Sequence, residues 1–174
     1  MPLYFTYGSN CIQQLEKRVG AKDLVVQPAF LVDYTRIFAG YGRRWKGAVA
    51  TVIPDTGGVV LGTVTHLTEE QLQKLDPHEH TLPNDPTSHR GYYRRERLPI
   101  QLFHGMDQEP SPPKWADVYI LNTPFTQRKH PPTEAYLAAC HQNTGRHWNG
   151  LDGDGILVQD HNLRPLYTWY PSKK

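Results

Sequence analysis

The sequence predicts an α+β fold organised on a mostly antiparallel, barrel-like sheet, and two observations carry this. Runs rich in β-branched and aromatic residues outnumber helical segments. The two kinds do not alternate in the regular strand–helix order that a doubly wound parallel sheet requires. Strands are expected at residues 3–6, 29–38, 48–53, 59–66, 92–103, 115–121 and 155–158, with a last short one within 166–169.

Three helices are expected. The first follows Asn10, with Ile12, Leu15 and Val19 at helical spacing, and Ser9 and Asn10 are available to cap it. The second starts at Thr68, where Thr-Glu-Glu-Gln forms a capping box closed by Gln71; Leu72 and Leu75 face inward, and the helix stops before Pro77. The third starts near Thr133, after two prolines, carries Tyr136, Leu137 and Cys140, and is ended by Gly145. Residues 80–90 and 106–114 are polar and proline-containing and read as surface loops.

A length of 174 residues with 38% hydrophobic and 21% charged residues fits one globular domain spanning 1–174. The net charge of +2 creates no field strong enough to point to nucleic acid or an acidic membrane. No apolar run is long enough to span a bilayer and no secretory segment precedes the first strand. With two cysteines, Cys11 and Cys140, the expectation is a cytoplasmic protein with free thiols. Two basic runs stand out: residues 43–46 form a patch, and residues 94–97 read as one solvated strand face.

The start, Tyr4-Phe5-Thr6-Tyr7-Gly8-Ser9-Asn10, is a strand stopped by a glycine and two small polar residues. Gly8 permits a tight turn and lets a ligand approach the backbone, and N–H groups at a strand end suit an anion or oxyanion. Glu79 lies four residues after Leu75 and seven after Leu72; on a continued helical path its carboxylate shares the apolar face, where desolvation raises the pKa into the range of a usable acid or base. Pro77 weakens that path, and a solvated loop glutamate is the plain alternative. The nine histidines match no zinc spacing, there is no CxxC, and none of the four serines sits in GxSxG, so neither a metal site nor a serine nucleophile is supported. Cys11 at a helix start would have its thiolate stabilised, but a small core residue is its simpler role. Residues 152–155 resemble part of a calcium loop without its later carboxylates and read as a tight turn. Tyr92, Tyr93, Tyr119 and Tyr136 fit core or rim positions with satisfied hydroxyls.

Five blocks in order resemble the gamma-glutamylcyclotransferase family. They are the YGSN at Tyr7 to Asn10; Gly47-Ala48-Val49-Ala50-Thr51-Val52; Leu75-Asp76-x-x-Glu79 followed by Gly91-Tyr92-Tyr93; Ala116-Asp117-Val118-Tyr119; and Pro132-Thr133-x-x-Tyr136. The resemblance implies a small, mostly antiparallel barrel with peripheral helices and an enzyme that releases 5-oxoproline from a small γ-glutamyl substrate without a cofactor. It implies that Glu79 is the catalytic acid/base, that Tyr4, Phe5, Thr6, Tyr7, Gly8, Ser9 and Asn10 bind substrate, that Tyr136 closes over it, and that Tyr93 and Tyr119 are pocket tyrosines. Homodimers occur in the family, so a homodimer is an implied assembly. YGSN favours γ-glutamyl amino acids or dipeptides; amine-directed relatives carry YGT at this point and glutathione-specific ones YGSL. A non-catalytic binding module would be expected to lose the acidic residue. The chain departs from the family in having His80 after Glu79 where glycine is usual, in a longer segment over residues 80–90, either a lid or a tolerated insertion, and in a weakly matching stretch from His147 to Lys174, whose Trp148, Trp169 and Tyr170 suit an apolar or oligomer contact.

Overall fold

In the computed structural model, which describes residues 1–104, 108–109, 111–127 and 130–144, five strands close into a barrel in the order β1-β3-β2-β4-β5. The strands are β1 (Leu3–Thr6), β2 (Gln27–Gly42), β3 (Gly47–His66), β4 (Tyr93–Leu102) and β5 (Lys114–Leu121). All neighbours are antiparallel except β1 and β5, which pair in parallel, Leu3 with Ala116 and Tyr4 with Asp117, and close the barrel. The antiparallel barrel is therefore as expected. The strands expected at 155–158 and 166–169, the turn at 152–155 and the Gly145 cap lie outside the described residues.

The strand expected at 29–38 runs longer, from Gln27 to Gly42, and one expected strand break is absent. Residues 48–53 and 59–66 belong to the single strand β3, because β2 pairs with it on both sides of the turn-like Pro-Asp-Thr-Gly-Gly. The register runs Val32↔Val59 and then Tyr34↔Pro54, so residues 55–58 bulge out opposite Asp33. Asp33 takes a φ of 64° and its carboxylate accepts from the Gly57 N–H at 2.9 Å, which holds the bulge.

The helices are α1 (Ile12–Val19), α2 (Glu69–Leu75) and α3 (Glu134–Thr144). In α1 the N-cap is Cys11, whose sulfur accepts from the Gln14 N–H at 3.4 Å, rather than Ser9 or Asn10. Cys11 is thus a half-buried cap and not a core residue, whereas Cys140 is buried beside Tyr136. Gly20 ends α1 in the left-handed conformation (φ 70°), and Lys17 and Arg18 sit in the last turn, where they complement the helix dipole. The Thr68–Gln71 capping box is present at 2.8 and 3.1 Å. Thr133 Oγ1 accepts from the Tyr136 N–H at 3.2 Å and starts α3.

Side-chain alternation along β1 divides the core. Leu3 and Phe5 point into the barrel with Leu31, Val52, Ile100 and Val118, while Tyr4 points outward into a second cluster under α1 and α2 with Leu15, Val19, Leu72, Leu75 and Tyr119. The basic run on β4 splits in the same way. Arg95 is buried and its Nη2 donates to Glu69 at 2.9 Å, so this run is not one solvated face as expected.

Among the described residues, no helix is long and apolar enough to cross a membrane.

Candidate active site

Beyond Thr6 the chain leaves the barrel and is clamped. The Tyr7 carbonyl accepts from Arg36 Nη1 at 2.6 Å, and the Tyr7 hydroxyl donates to the Tyr119 carbonyl at 2.5 Å. Gly8, Ser9 and Asn10 follow and bound a cleft of about 600 Å³. Gly8 has no left-handed φ, so the turn itself does not demand glycine. A Cβ there would lie 3.5 Å from the Tyr136 hydroxyl and 3.8 Å from Ala50 Cβ, both on the cleft wall. Glycine at this position keeps a methyl group out of the cleft.

Glu79 reaches the cleft from the opposite layer. After Leu75 the chain does not depart at Pro77 but tightens into a 3₁₀ turn over Asp76–Glu79, with Pro77 in the first turn where its missing N–H costs no hydrogen bond. Asp76 anchors the junction: its carboxylate accepts from the Tyr119 hydroxyl at 2.7 Å and lies 3.4 Å from Arg95 Nε. His80, left-handed at φ 54°, ends the turn by donating its N–H to the Asp76 and Pro77 carbonyls. The helical path therefore persists to Glu79 and delivers its side chain, 14% exposed, to the cleft.

There the carboxylate meets a small polar cluster. Asn10 Nδ2 donates to Glu79 Oε1 and to the Tyr4 hydroxyl, each at 3.0 Å. Arg18 Nη1 donates to Asn10 Oδ1 at 3.2 Å and lies 3.7 Å from Glu79 Oε1. Burial pushes the Glu79 pKa above the ordinary carboxylate value; the Asn10 hydrogen bond and the Arg18 and His80 charges oppose the shift without cancelling it. Burial, with the Glu79 charge next, holds Tyr4 firmly protonated. Burial and the Arg18 charge lower the pKa of His78. The Glu79 carboxylate is thus desolvated, held in place by Asn10, and less acidic than an ordinary carboxylate.

Every residue singled out from the sequence for this site lines the cleft: Tyr4, Phe5, Thr6, Tyr7, Gly8, Ser9, Asn10, Glu79, Tyr93, Tyr119 and Tyr136. Tyr136 is buried, accepts from the Ala50 N–H at 2.7 Å and stands edge-on to Phe38 and Trp45. Tyr93 donates to the Ala50 carbonyl at 3.0 Å, so one residue of β3 ties two cleft tyrosines. Among the described residues no group of three or more histidine, cysteine or acidic side chains could hold a metal ion.

A family model described as "Gamma-glutamyl cyclotransferase, AIG2-like" matches residues 4–138. The chain belongs to that family. Its fold is shared by a solved structure described as "Gamma-glutamyl cyclotransferase", with a TM-score of 0.66 at 22% identity over 86% of this chain and 80% of the other. A protein from Homo sapiens described as uncharacterized aligns with a TM-score of 0.67 at 20% identity over 89% and 85% of the two chains. A yeast "gama glutamyl cyclotransferease specific to glutathione" gives 0.57 at 15% identity over 97% and 96%. No curated protein matches the sequence.

Set in this family fold, the 80–90 segment is fastened rather than free to close. The Tyr92 N–H donates to the His80 carbonyl at 3.1 Å, the Arg95 N–H to the Pro86 carbonyl at 2.7 Å, and Asn122 Nδ2 to the Ser88 carbonyl at 3.1 Å. Of this segment, among the described residues, His80 alone lines the cleft, so the lid reading is set aside. The sequence reading missed Arg18, Gln14 and the hairpin residues Arg43, Arg44 and Trp45, all of which line the cleft. The hairpin run was visible as a basic patch, but nothing in the sequence said which end of the barrel it occupies.

Proposed function

We propose that the protein is a γ-glutamylcyclotransferase that converts a γ-glutamyl amino acid or dipeptide into 5-oxoproline and the free amine, with Glu79 as the general acid/base. The observation that carries this reading is the desolvated Glu79 carboxylate, hydrogen-bonded to Asn10 of the YGSN loop inside a cleft walled by tyrosines. Family membership supports the reaction class.

The chemistry needs little more from the protein. The substrate's own α-amine attacks its γ-carbonyl carbon, a carbon–nitrogen bond closes the five-membered ring, and the bond from the γ-carbon to the departing nitrogen breaks. Glu79, ionised at the outset, takes the proton from the attacking amine and gives it to the departing nitrogen, so no water is consumed and the carboxylate is regenerated. The cleft contributes by folding the extended γ-glutamyl chain into attack geometry. The backbone at residues 7–10 is suited to the α-carboxylate or the tetrahedral oxyanion. The aromatic walls reduce water in the cleft and strengthen these interactions.

The test is 5-oxoproline release by the purified protein from γ-Glu-Ala, glutathione and γ-Glu-ε-Lys, with Glu79→Gln alongside. Turnover lost in the variant, with the thermal transition intact, is the expected result. Undiminished turnover in Glu79→Gln would remove the carboxylate from the mechanism. Turnover of γ-Glu-ε-Lys alone would move the substrate class to γ-glutamylamines.

A further inference from the structure

The hairpin joining β2 to β3 lines the cleft and is built to hold its position there. The Trp45 and Lys46 N–H groups donate to the Gly42 carbonyl at 3.1 and 2.7 Å, with Lys46 left-handed at φ 55°. On one side the Tyr92 hydroxyl accepts from the Tyr41 N–H at 2.9 Å and donates to the Tyr41 carbonyl at 3.1 Å. On the other, the Trp45 ring stands edge-on to Tyr136, with centroids 5.1 Å apart. Arg43 and Arg44 are thus carried on an anchored turn, exposed to solvent yet lining the cleft.

The charge balance of the cleft is uneven. Its lining holds three guanidinium groups, Arg18, Arg43 and Arg44, against the single carboxylate of Glu79. Arg18 is committed to the Asn10–Glu79 cluster. Arg44 lies over the Trp45 ring at 5.1 Å, and the Gln14 amide, with its oxygen turned toward both guanidinium groups, accepts from Arg44 Nη1 at 2.5 Å and from Arg18 Nη2 at 3.2 Å. Gln14 therefore links the inner cation to the outer one, and a row of positive charge runs from the reacting carboxylate to the hairpin. Such a row favours an anionic group on whatever part of the substrate lies beyond Glu79. In an intramolecular cyclisation that part is the departing amine.

We infer that Arg43 and Arg44 form a leaving-group subsite that binds the carboxylate of the released amino acid or peptide, and that this selects γ-glutamyl amino acids and peptides over γ-glutamyl monoamines. The inference rests on the cyclotransferase reading above and assigns specificity to residues outside the YGSN and Glu79 blocks. Planar guanidinium groups suit a carboxylate because they offer paired donors in a fixed fork. Their exposure makes the preference sensitive to ionic strength.

The experiment compares γ-Glu-Ala with γ-Glu-alaninamide, which differ in the terminal carboxylate, in the wild type and in Arg43→Gln/Arg44→Gln. A charge-assisted hydrogen bond predicts a kcat/KM ratio of about tenfold or more in favour of γ-Glu-Ala for the wild type, shrinking as salt is raised. In the double variant the ratio falls toward unity, and measurable turnover of γ-Glu-alaninamide certifies that the variant is folded. Arg43→Glu/Arg44→Glu inverts the preference toward γ-glutamyl-ethylenediamine. A wild-type ratio near unity, or a ratio retained in the double variant, overturns the subsite while leaving cyclisation standing. Calorimetric binding of the same two compounds to the wild type and the double variant separates the two readings. Carboxylate-dependent affinity lost in the double variant, without turnover of either compound by the wild type, supports the subsite and defeats the cyclotransferase reading. Equal affinities without turnover defeat both.

Discussion

Replacing Gly8 with alanine separates the fold from the site. The backbone at Gly8 lies outside the left-handed region, so an alanine is accepted without strain. Its Cβ would sit 3.5 Å from the Tyr136 hydroxyl and 3.8 Å from Ala50 Cβ, ordinary contact distances that require no neighbour to move. A compatible glycine-to-alanine change stabilises by about 0.4–1 kcal/mol through the unfolded chain. At roughly 2–4 °C per kcal/mol for a chain of this size, Tm rises by about 1–4 °C. The same methyl group faces the Tyr136 hydroxyl and Ala50 on the cleft wall, where the proposed reaction puts the γ-glutamyl chain. Displacing a reacting group by about 1 Å is enough to cost on the order of 100-fold in rate. Differential scanning fluorimetry and 5-oxoproline release on Gly8→Ala therefore move in opposite directions. A variant with a raised Tm and wild-type kcat/KM would show that substrate does not approach this loop. A large fall in Tm would show that glycine here serves the fold.

Glu79→Gln is expected to lower kcat by about 100-fold or more while preserving the fold. Because burial raises the folded-state pKa of Glu79, the ionised form is less stable in the fold than in the unfolded chain. Its cost is absent below the unfolded pKa, grows as pH rises toward the folded value, and is constant above it. The Tm advantage of Glu79→Gln over the wild type should therefore widen from acid to neutral pH in thermal melts; a constant or narrowing gap contradicts the raised pKa. Tyr136→Phe leaves the Ala50 N–H, now bonded at 2.7 Å, without its acceptor in a buried site, at a cost of about 1–3 kcal/mol. Chemical denaturation checks this, and an unchanged midpoint would mean another group takes the N–H. At Gly91 an added Cβ would meet the Leu82 nitrogen at 2.6 Å and the Tyr93 carbonyl oxygen at 2.9 Å, both backbone atoms. Gly91→Ala should destabilise by more than about 1 kcal/mol and speed proteolysis within residues 80–90, seen by limited digestion.

Local signals carried much of this protein. The alternating pattern, the Thr68 capping box and the β-branched runs specify strands and helices through interactions within a few residues, and among the described residues three helices and five strands form on those segments, with the two expected strands at 48–53 and 59–66 joined into one. The YGSN loop, Glu79 and Tyr4, Tyr93, Tyr119 and Tyr136 were legible because a resemblance ordered them, and they meet in one cleft. Tertiary pairing decided the rest. The turn-like residues after Pro54 bulge out rather than end a strand, because β2 runs alongside both halves of β3. Arg95 is buried because α2 and the 3₁₀ turn after it bring Glu69 and Asp76 over its face of the barrel. Asn10 orients Glu79 instead of capping α1 because the 3₁₀ turn carries the carboxylate to within 3.0 Å of it, across 69 residues of sequence. Arg43 and Arg44 read only as a basic patch until the Tyr92 and Trp45 contacts placed their hairpin at the cleft. Propensity and capping act over one or two turns of chain, and so can be read in order; which side chains share a cleft depends on barrel closure, which no local window contains.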